Sequence, residues 1–150
     1  TAAGCQLISS CDLAYSSSRA KYATPGVNIG LFCSTPMVPL SRTVGKKQAM
    51  EMLLTGDLID ANKALRIGLI NDVFEEDSLK ENVFQIAKKI SSKSSTTIKI
   101  GKEAFYKQKD MNLEDAYTFT SKVMTENMLH DDSKEGIDAF LEKREPNWKE

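Results

Sequence analysis

The sequence contains one histidine, His130, and three cysteines, Cys5, Cys11 and Cys33, in neither a CxxC pair nor any metal-ligand spacing. A structural zinc centre needs several organised thiol or imidazole ligands, and this inventory argues against one. An odd number of thiols also argues against a disulfide framework. We read three reduced, mostly buried cysteines and a reducing compartment. Charge of one sign is missing as well: 20 Lys and Arg stand against 21 Asp and Glu, a formal net charge of −1. No basic field therefore exists to hold nucleic acid or an anionic membrane. No apolar run approaches the roughly 20 residues that span a bilayer. Lys88, Lys89, Lys93, Lys99 and Lys102 are spread along amphipathic stretches and read as solvated helix faces. Internal repeats, low-complexity tracts and long linkers are absent. Nor does a methionine open the chain. A helix-like run begins straight after Thr1, and we expect a fragment that shows no targeting peptide.

What is present suffices for one domain with a real core, 150 residues of which 41% are hydrophobic. Residues 2–9 predict a short helix, weakened by Gly4. Residues 12–16 and 20–23 predict short strands around a turn at Ser17, Ser18 and Arg19. Pro25 and Gly26 end the second strand, because proline lacks an amide donor and glycine tolerates positive φ. Residues 27–33, apolar and broken by Gly30, predict a loop or short strand lining a pocket. Ser34, Thr35 and Pro36 have the form of a cap followed by an early proline, opening a helix to about Val44 with Pro39 its weak point. A helix over 46–54 ends at Gly56, and Asp60 caps a third over 61–67 that ends at Gly68. Residues 69–74 predict a strand or extended segment. The strongest periodicity lies in 77–92, where Leu79, Val83, Ile86, Ala87 and Ile90 share one face. Helices over 96–108 and 113–129 follow, with Asn112 capping the second. Asp132 or Ser133 caps a last helix that carries Ile137, Phe140 and Leu141 on one side and stops by Pro146. The strands are too few to close a sheet, so their partners are expected outside the chain.

Several ordered segments carry a resemblance. TAAGCQLISSCDLAYSSSRAKYATPGVNIGLFCSTP, then GKKQAMEMLLTGDLIDANKALRIGLINDVF, resembles the second half of the crotonase (enoyl-CoA hydratase/isomerase) superfamily. That family's pattern there runs through a Gly triplet, a CD turn, a PE pair and a TG segment ending in GL. KEGIDAFLEKREPNW is similar to its last helix, so the likeness covers essentially the whole chain. The resemblance implies an α/β fold, the crotonase-like ββα spiral, here only its helix-rich C-terminal half with few short strands. It assigns residues 1–74 to the second half of the spiral core, with an oxyanion-hole helix and acyl pocket. Residues 75–150 become a helical region for oligomerisation and cover of CoA. It implies an acyl-CoA thioester as ligand, with CoA part of the substrate and no separate cofactor. It also implies a homotrimer or hexamer, a missing N-terminal half of the same fold, and a mitochondrial location. A peroxisomal one is disfavoured, since Trp148, Lys149 and Glu150 do not form an SKL-type signal.

Family members stabilise an enolate at the thioester oxygen with two backbone amides. One belongs to the Gly triplet at a helix N-terminus and corresponds to Ala3; the other lies in the missing half. Free amides and the positive end of a helix dipole suit that task, because the donors are fixed before charge develops. Ala in place of Gly keeps the N–H and narrows the allowed backbone conformations. The two acid–base carboxylates of the hydratases correspond to Gln6 and Gly26. An amide exchanges no proton near neutral pH and glycine has no side chain, so ordinary hydratase activity is not expected. The carboxylate that dienoyl-CoA isomerases place eight positions later corresponds to Ser34. Asp12 is the nearest carboxylate and reads as structural.

Gln6, Thr24, Asn28, Ser34 and Thr35 form the expected polar lining. Asn28 and Ser34 are candidate substrate contacts, although Ser34 and Thr35 read better as local caps. For Gln6 and Asn28 a ligand hydrogen bond and a local turn contact are equally open. Phe140 and Lys143 match positions that cover acyl-CoA and meet its phosphates across a subunit boundary; a core phenylalanine and a solvated lysine are the plain alternatives. Two functional readings follow. The missing carboxylates favour an acyl-CoA-binding protein of fatty-acid or related acyl-CoA metabolism without hydratase chemistry. The other is an active hydratase, isomerase or hydrolase that draws its catalytic groups from the missing half.

Overall fold

Glycine punctuation and apolar spacing set most of the helices where the residue pattern predicts them. The computed structural model describes residues 1–149 and separates into two units, Thr1–Gln85 and Ile86–Glu150. The division falls inside a helix, whereas the resemblance divides the chain between residues 74 and 75.

The first unit runs α1 (Ala3–Ser10), β1 (Tyr15–Ser17), β2 (Lys21–Tyr22), a 3₁₀ helix (Pro25–Ile29), α2 (Ser34–Thr43), α3 (Lys46–Thr55), β3 (Ile59–Asp60), α4 (Ala61–Arg66), β4 (Asp72–Phe74) and the start of α5 (Glu76–Ser91). The strands form two small ladders. β1 lies parallel to β4 with Ser16 opposite Val73, and β2 lies antiparallel to β3 with Tyr22 opposite Ile59. Ladders so short have little stability of their own. Asn71 clamps the first, its side chain accepting from the Ala14 N–H at 2.7 Å while its own N–H donates to the Ala14 carbonyl at 2.7 Å.

The core of this unit lies among α2, α3 and α4, where Leu40, Met52, Leu53 and Ala64 are almost wholly buried. Burying a side chain the size of leucine contributes roughly 1.5–3 kcal/mol, and that anchor lets α2 continue through Pro39. Gly56 ends α3 with φ 65°, and the Asp60 carboxylate accepts from the Lys63 N–H at 2.7 Å at the start of α4. This stop and this start fall where the sequence puts them.

Other expectations need correction. The first strand occupies Tyr15–Ser17 rather than 12–16, since register is decided by pairing with β4. Residues 27–33 take the loop and not the strand of the two alternatives: Pro25 fixes φ at the head of a 3₁₀ turn, and Gly30 closes it with φ 77°. Ser34 is the first residue of α2 and not its cap; Cys33 takes the cap position without a side-chain bond. The sequence reading also missed the two-residue strand β3.

The second unit contains the end of α5, then α6 (Ser95–Gln108), α7 (Leu113–Met128) and α8 (Asp131–Glu142). Asn112 caps α7 as expected, accepting from the Asp115 N–H at 3.0 Å. Asp132 caps nothing; His130 holds that position. The Asp132 carboxylate is buried and already engaged, accepting from Ser94 Oγ at 2.5 Å and from the Lys149 N–H at 3.2 Å. Ser94 Oγ in turn accepts from the Thr97 N–H at 3.0 Å, so one hydroxyl caps α6 and ties it to α8. Trp148 Nε1 donates to the Ser92 carbonyl at 2.8 Å and draws the chain end back along the unit. Arg144 donates to both Glu135 carboxylate oxygens, at 2.6 and 3.1 Å.

Two outcomes test this description. Asp60→Ala, which leaves the Lys63 N–H without its acceptor, is expected to lower unfolding free energy by about 1 kcal/mol in a urea titration. Arg144, and then the Asn147 N–H, hold the Glu135 carboxyl down to about 2 from its ordinary 4.5. A carboxylate lowered on folding stabilises the fold above its unfolded pKa and loses that contribution as pH falls through its folded value. Calorimetric melting should therefore show a decline between pH 4.5 and about 2 that is shallower in Glu135→Gln.

Candidate functional site

The site is built from the two ends of one short tether. At the start of α1 the Ala2 N–H donates to the Ala23 carbonyl at 2.9 Å, and the Cys5 thiol donates to the same oxygen at 3.2 Å. That shared acceptor fixes the helix start beside the strand-to-turn segment leading into Pro25. Gly4 N–H is taken by the Thr1 carbonyl at 2.8 Å, whereas the N–H of Ala3 has no acceptor among the described residues. Ala2 adopts φ 45° and ψ −110°, a region that favours glycine. The strain of replacing glycine by alanine thus sits at Ala2, one residue before the Ala3 position where the sequence reading put it.

On the other side the Gly26 N–H donates to Cys33 Sγ at 3.3 Å and the Leu31 N–H donates to the Gly26 carbonyl at 2.9 Å. Between these elements lies a cavity of about 580 Å³. It brings together Ala3, Gln6, Gly26, Asn28, Ser34 and Thr35, residues that the sequence reading put around one pocket. Ile29, Leu31 and Phe32 give it an apolar wall. No Asp, Glu, His, Lys or Arg is among its described lining residues, to which Cys33 adds one thiol.

Individual side chains refine this picture. Gln6 lines the cavity from α1, one turn beyond Ala3, and residues three apart share a helix face. Asn28 lines the cavity, but its amide also lies over Gly56: a β-carbon there would stand 3.1 Å from both terminal atoms. Ser34 Oγ donates to the Phe32 carbonyl at 3.3 Å, a local contact. Thr24 is wholly buried, is not part of the lining, and its hydroxyl is without a partner among the described residues. Asp12 is likewise outside the lining.

Phe140 and Lys143 belong to the second unit. Phe140 is 82% exposed in this chain and borders a separate, mostly apolar cavity with Ile137, Leu141 and Trp148. Lys143 ends α8 in the left-handed region at φ 55°. Of the thiols, Cys5 and Cys33 are buried and Cys11 is exposed. The sequence placed residues 27–33 along a pocket and read the thiols as mostly buried, and Cys33 does both: it lines the cavity and joins the core cluster.

Comparison with known proteins places these features in a family. The model of the enoyl-CoA hydratase/isomerase family matches residues 1–150. The chain is similar to the mitochondrial enoyl-CoA hydratase domain-containing protein 3 of Mus musculus, 52% identical over 148 residues, covering 99% of this chain and 49% of that protein. Among solved structures, human enoyl Coenzyme A hydratase domain-containing protein 3 matches with a TM-score of 0.95 and 51% identity over 98% of this chain and 58% of that one. An enoyl-CoA hydratase from Mycobacterium smegmatis matches with a TM-score of 0.95 and 44% identity, over 98% and 57%. The chain spans about half the length of the curated relatives it matches. The helix-rich α/β fold expected from the sequence is the one these neighbours share.

Ala2→Gly should relieve the positive-φ strain and raise stability by about 1 kcal/mol. The shift of the urea midpoint measures it, with Ala20→Gly as an exposure-matched comparison expected to show no gain.

Proposed function

The chain belongs to the enoyl-CoA hydratase/isomerase family, and from that premise we propose that it contributes an acyl-CoA thioester pocket without ordinary hydratase chemistry. The observation that carries this reading is the neutral cavity beside an unused helix-start amide. The thioester carbonyl sits at the Ala3 N–H, where the end of α1 adds a favourable dipole and the tether to Ala23 holds the donor in place before charge develops. One such donor is worth roughly 3–4 kcal/mol in a transition state. The acyl chain lies along Ile29, Leu31 and Phe32. Gln6 and Asn28 offer hydrogen bonds to polar atoms of the ligand and exchange no proton at neutral pH.

Hydration needs a water activated at one carbon and a proton delivered to the next. Each lost acid–base group lowers the rate by roughly 10²–10⁴-fold, and the positions of both are occupied here by Gln6 and Gly26. The second oxyanion donor is assigned to the part of the family fold that this chain does not span. The exposed Phe140 and the helix-terminal Lys143 are assigned to cover of the CoA in a trimer or hexamer. The mitochondrial names of the curated relatives support placing the protein there. No helix of the described residues is long and apolar enough to cross a membrane. A second reading, an active enzyme of acyl-CoA metabolism, is favoured by the half of the relatives' length not spanned here, where catalytic groups of the whole protein would lie.

Calorimetric titration of crotonyl-CoA into the full natural protein, paired with a hydration assay, separates the two. Binding with hydration slower than a hydratase by about 10⁴-fold or more is the expected result. Hydration at an enzyme's ordinary rate would sink the first reading, and absence of binding would sink both.

A further inference from the structure

We infer that the turn from Leu31 to Cys33, and not the glycine alone, decides what position 26 can present to the cavity, with Cys33 the positioning residue of that wall. The functional meaning rests on the acyl-pocket reading; the geometry stands by itself. A β-carbon on Gly26 would lie 2.6 Å from the Leu31 carbonyl oxygen, 2.9 Å from Cys33 Sγ and 3.3 Å from the Cys33 nitrogen. Two of these three atoms are backbone and cannot swing aside. Gly26 does not have a positive φ, so its backbone would suit any residue. The constraint is space.

The atoms that occupy this space also hold the turn. Leu31 N–H binds the Gly26 carbonyl, Gly26 N–H binds Cys33 Sγ, and the Cys33 carbonyl accepts from the Met37 N–H at 2.9 Å in the first turn of α2. Cys33 itself is packed in the core cluster with Leu40. Admitting a side chain at 26 therefore requires moving the 31–33 backbone against the start of α2. The opposite wall carries no such constraint. Gln6, a residue of glutamate's shape, already lines the cavity from α1. An acid fits at position 6 and not at 26, and the facing pair of carboxylates cannot be rebuilt by substituting those two positions. At position 26 itself, the cavity offers a ligand only backbone and the Cys33 thiol as neighbours.

The test compares two glycines in the full natural protein. A β-carbon on Gly4 meets nothing within 4 Å, so Gly4→Ala serves as control. Gly26→Ala is expected to melt lower and to raise alkylation of Cys33 by iodoacetamide, located by peptide mass spectrometry, about tenfold or more through local opening. Gly4→Ala should do neither. Gln6→Glu should keep the wild-type midpoint, while Gly26→Glu should lose it and gain no hydration of crotonyl-CoA. Equal behaviour of the two alanine variants, or a stable Gly26→Glu that hydrates crotonyl-CoA, overturns the inference. Should Gly26→Ala fail to fold, hydrogen exchange of the wild-type Leu31 amide decides: slow exchange supports the closed turn and fast exchange refutes it. If crotonyl-CoA fails to bind the wild type, the acyl-CoA reading falls, while alkylation and exchange still judge the turn.

Discussion

A single carbonyl oxygen, that of Ala23, organises the candidate site. It accepts the Ala2 N–H and the Cys5 thiol together. Through it the first turn of α1 is held against the chain that enters the 3₁₀ helix. Without that acceptor, Ala2 would have no reason to keep its positive φ, and the Ala3 amide would have no fixed direction. Buried backbone groups seek partners because an unmet one costs about 1–3 kcal/mol. Here the requirement is met so that one amide is left over, at the place where two walls of the cavity meet.

The two walls differ in kind. Helix α1 presents side chains, and its character can be changed residue by residue. The wall after Pro25 carries the apolar side chains of Ile29, Leu31 and Phe32, but at Gly26 it is backbone folded back on itself by bonds to Leu31 and Cys33. At position 26 a side chain has no room. A neutral cavity with a preset donor can bind and polarise a carbonyl, since stabilising charge by fixed dipoles needs no titrating group. Moving protons is a separate task that needs groups whose pKa lies near the working pH.

Polar residues elsewhere in the chain act as joints. Ser94 and Asp132 fasten α6 to α8, and Ser17 and Ser18 hold the carboxylates of Glu76 and Glu75 at the head of α5. None of these hydroxyl–carboxylate pairs has a periodic signature, because each joins residues far apart in the chain. Asp132 illustrates the effect: its position suits a helix cap, yet a hydroxyl 38 residues away occupies the carboxylate. A local rule loses when a buried partner offers a stronger bond.

The residue pattern alone determined the long helices, the stop at Gly56 and the caps at Asp60 and Asn112, since these depend on neighbours within about one turn. Ordered motifs also brought Ala3, Gln6, Gly26, Asn28 and Ser34 to one expected pocket, and the folded chain does gather them around one cavity. Tertiary structure alone decided the strand registers, the 3₁₀ turn after Pro25, the strain at Ala2 and the contact of Cys33 with Gly26. Each depends on where a distant segment returns: β4 beside β1, Ala23 beside Ala2, Cys33 against Gly26. Sequence carries the energy of such contacts but not their geometry, because the space that excludes a β-carbon at position 26 exists only once residues 31–33 have folded back to fill it.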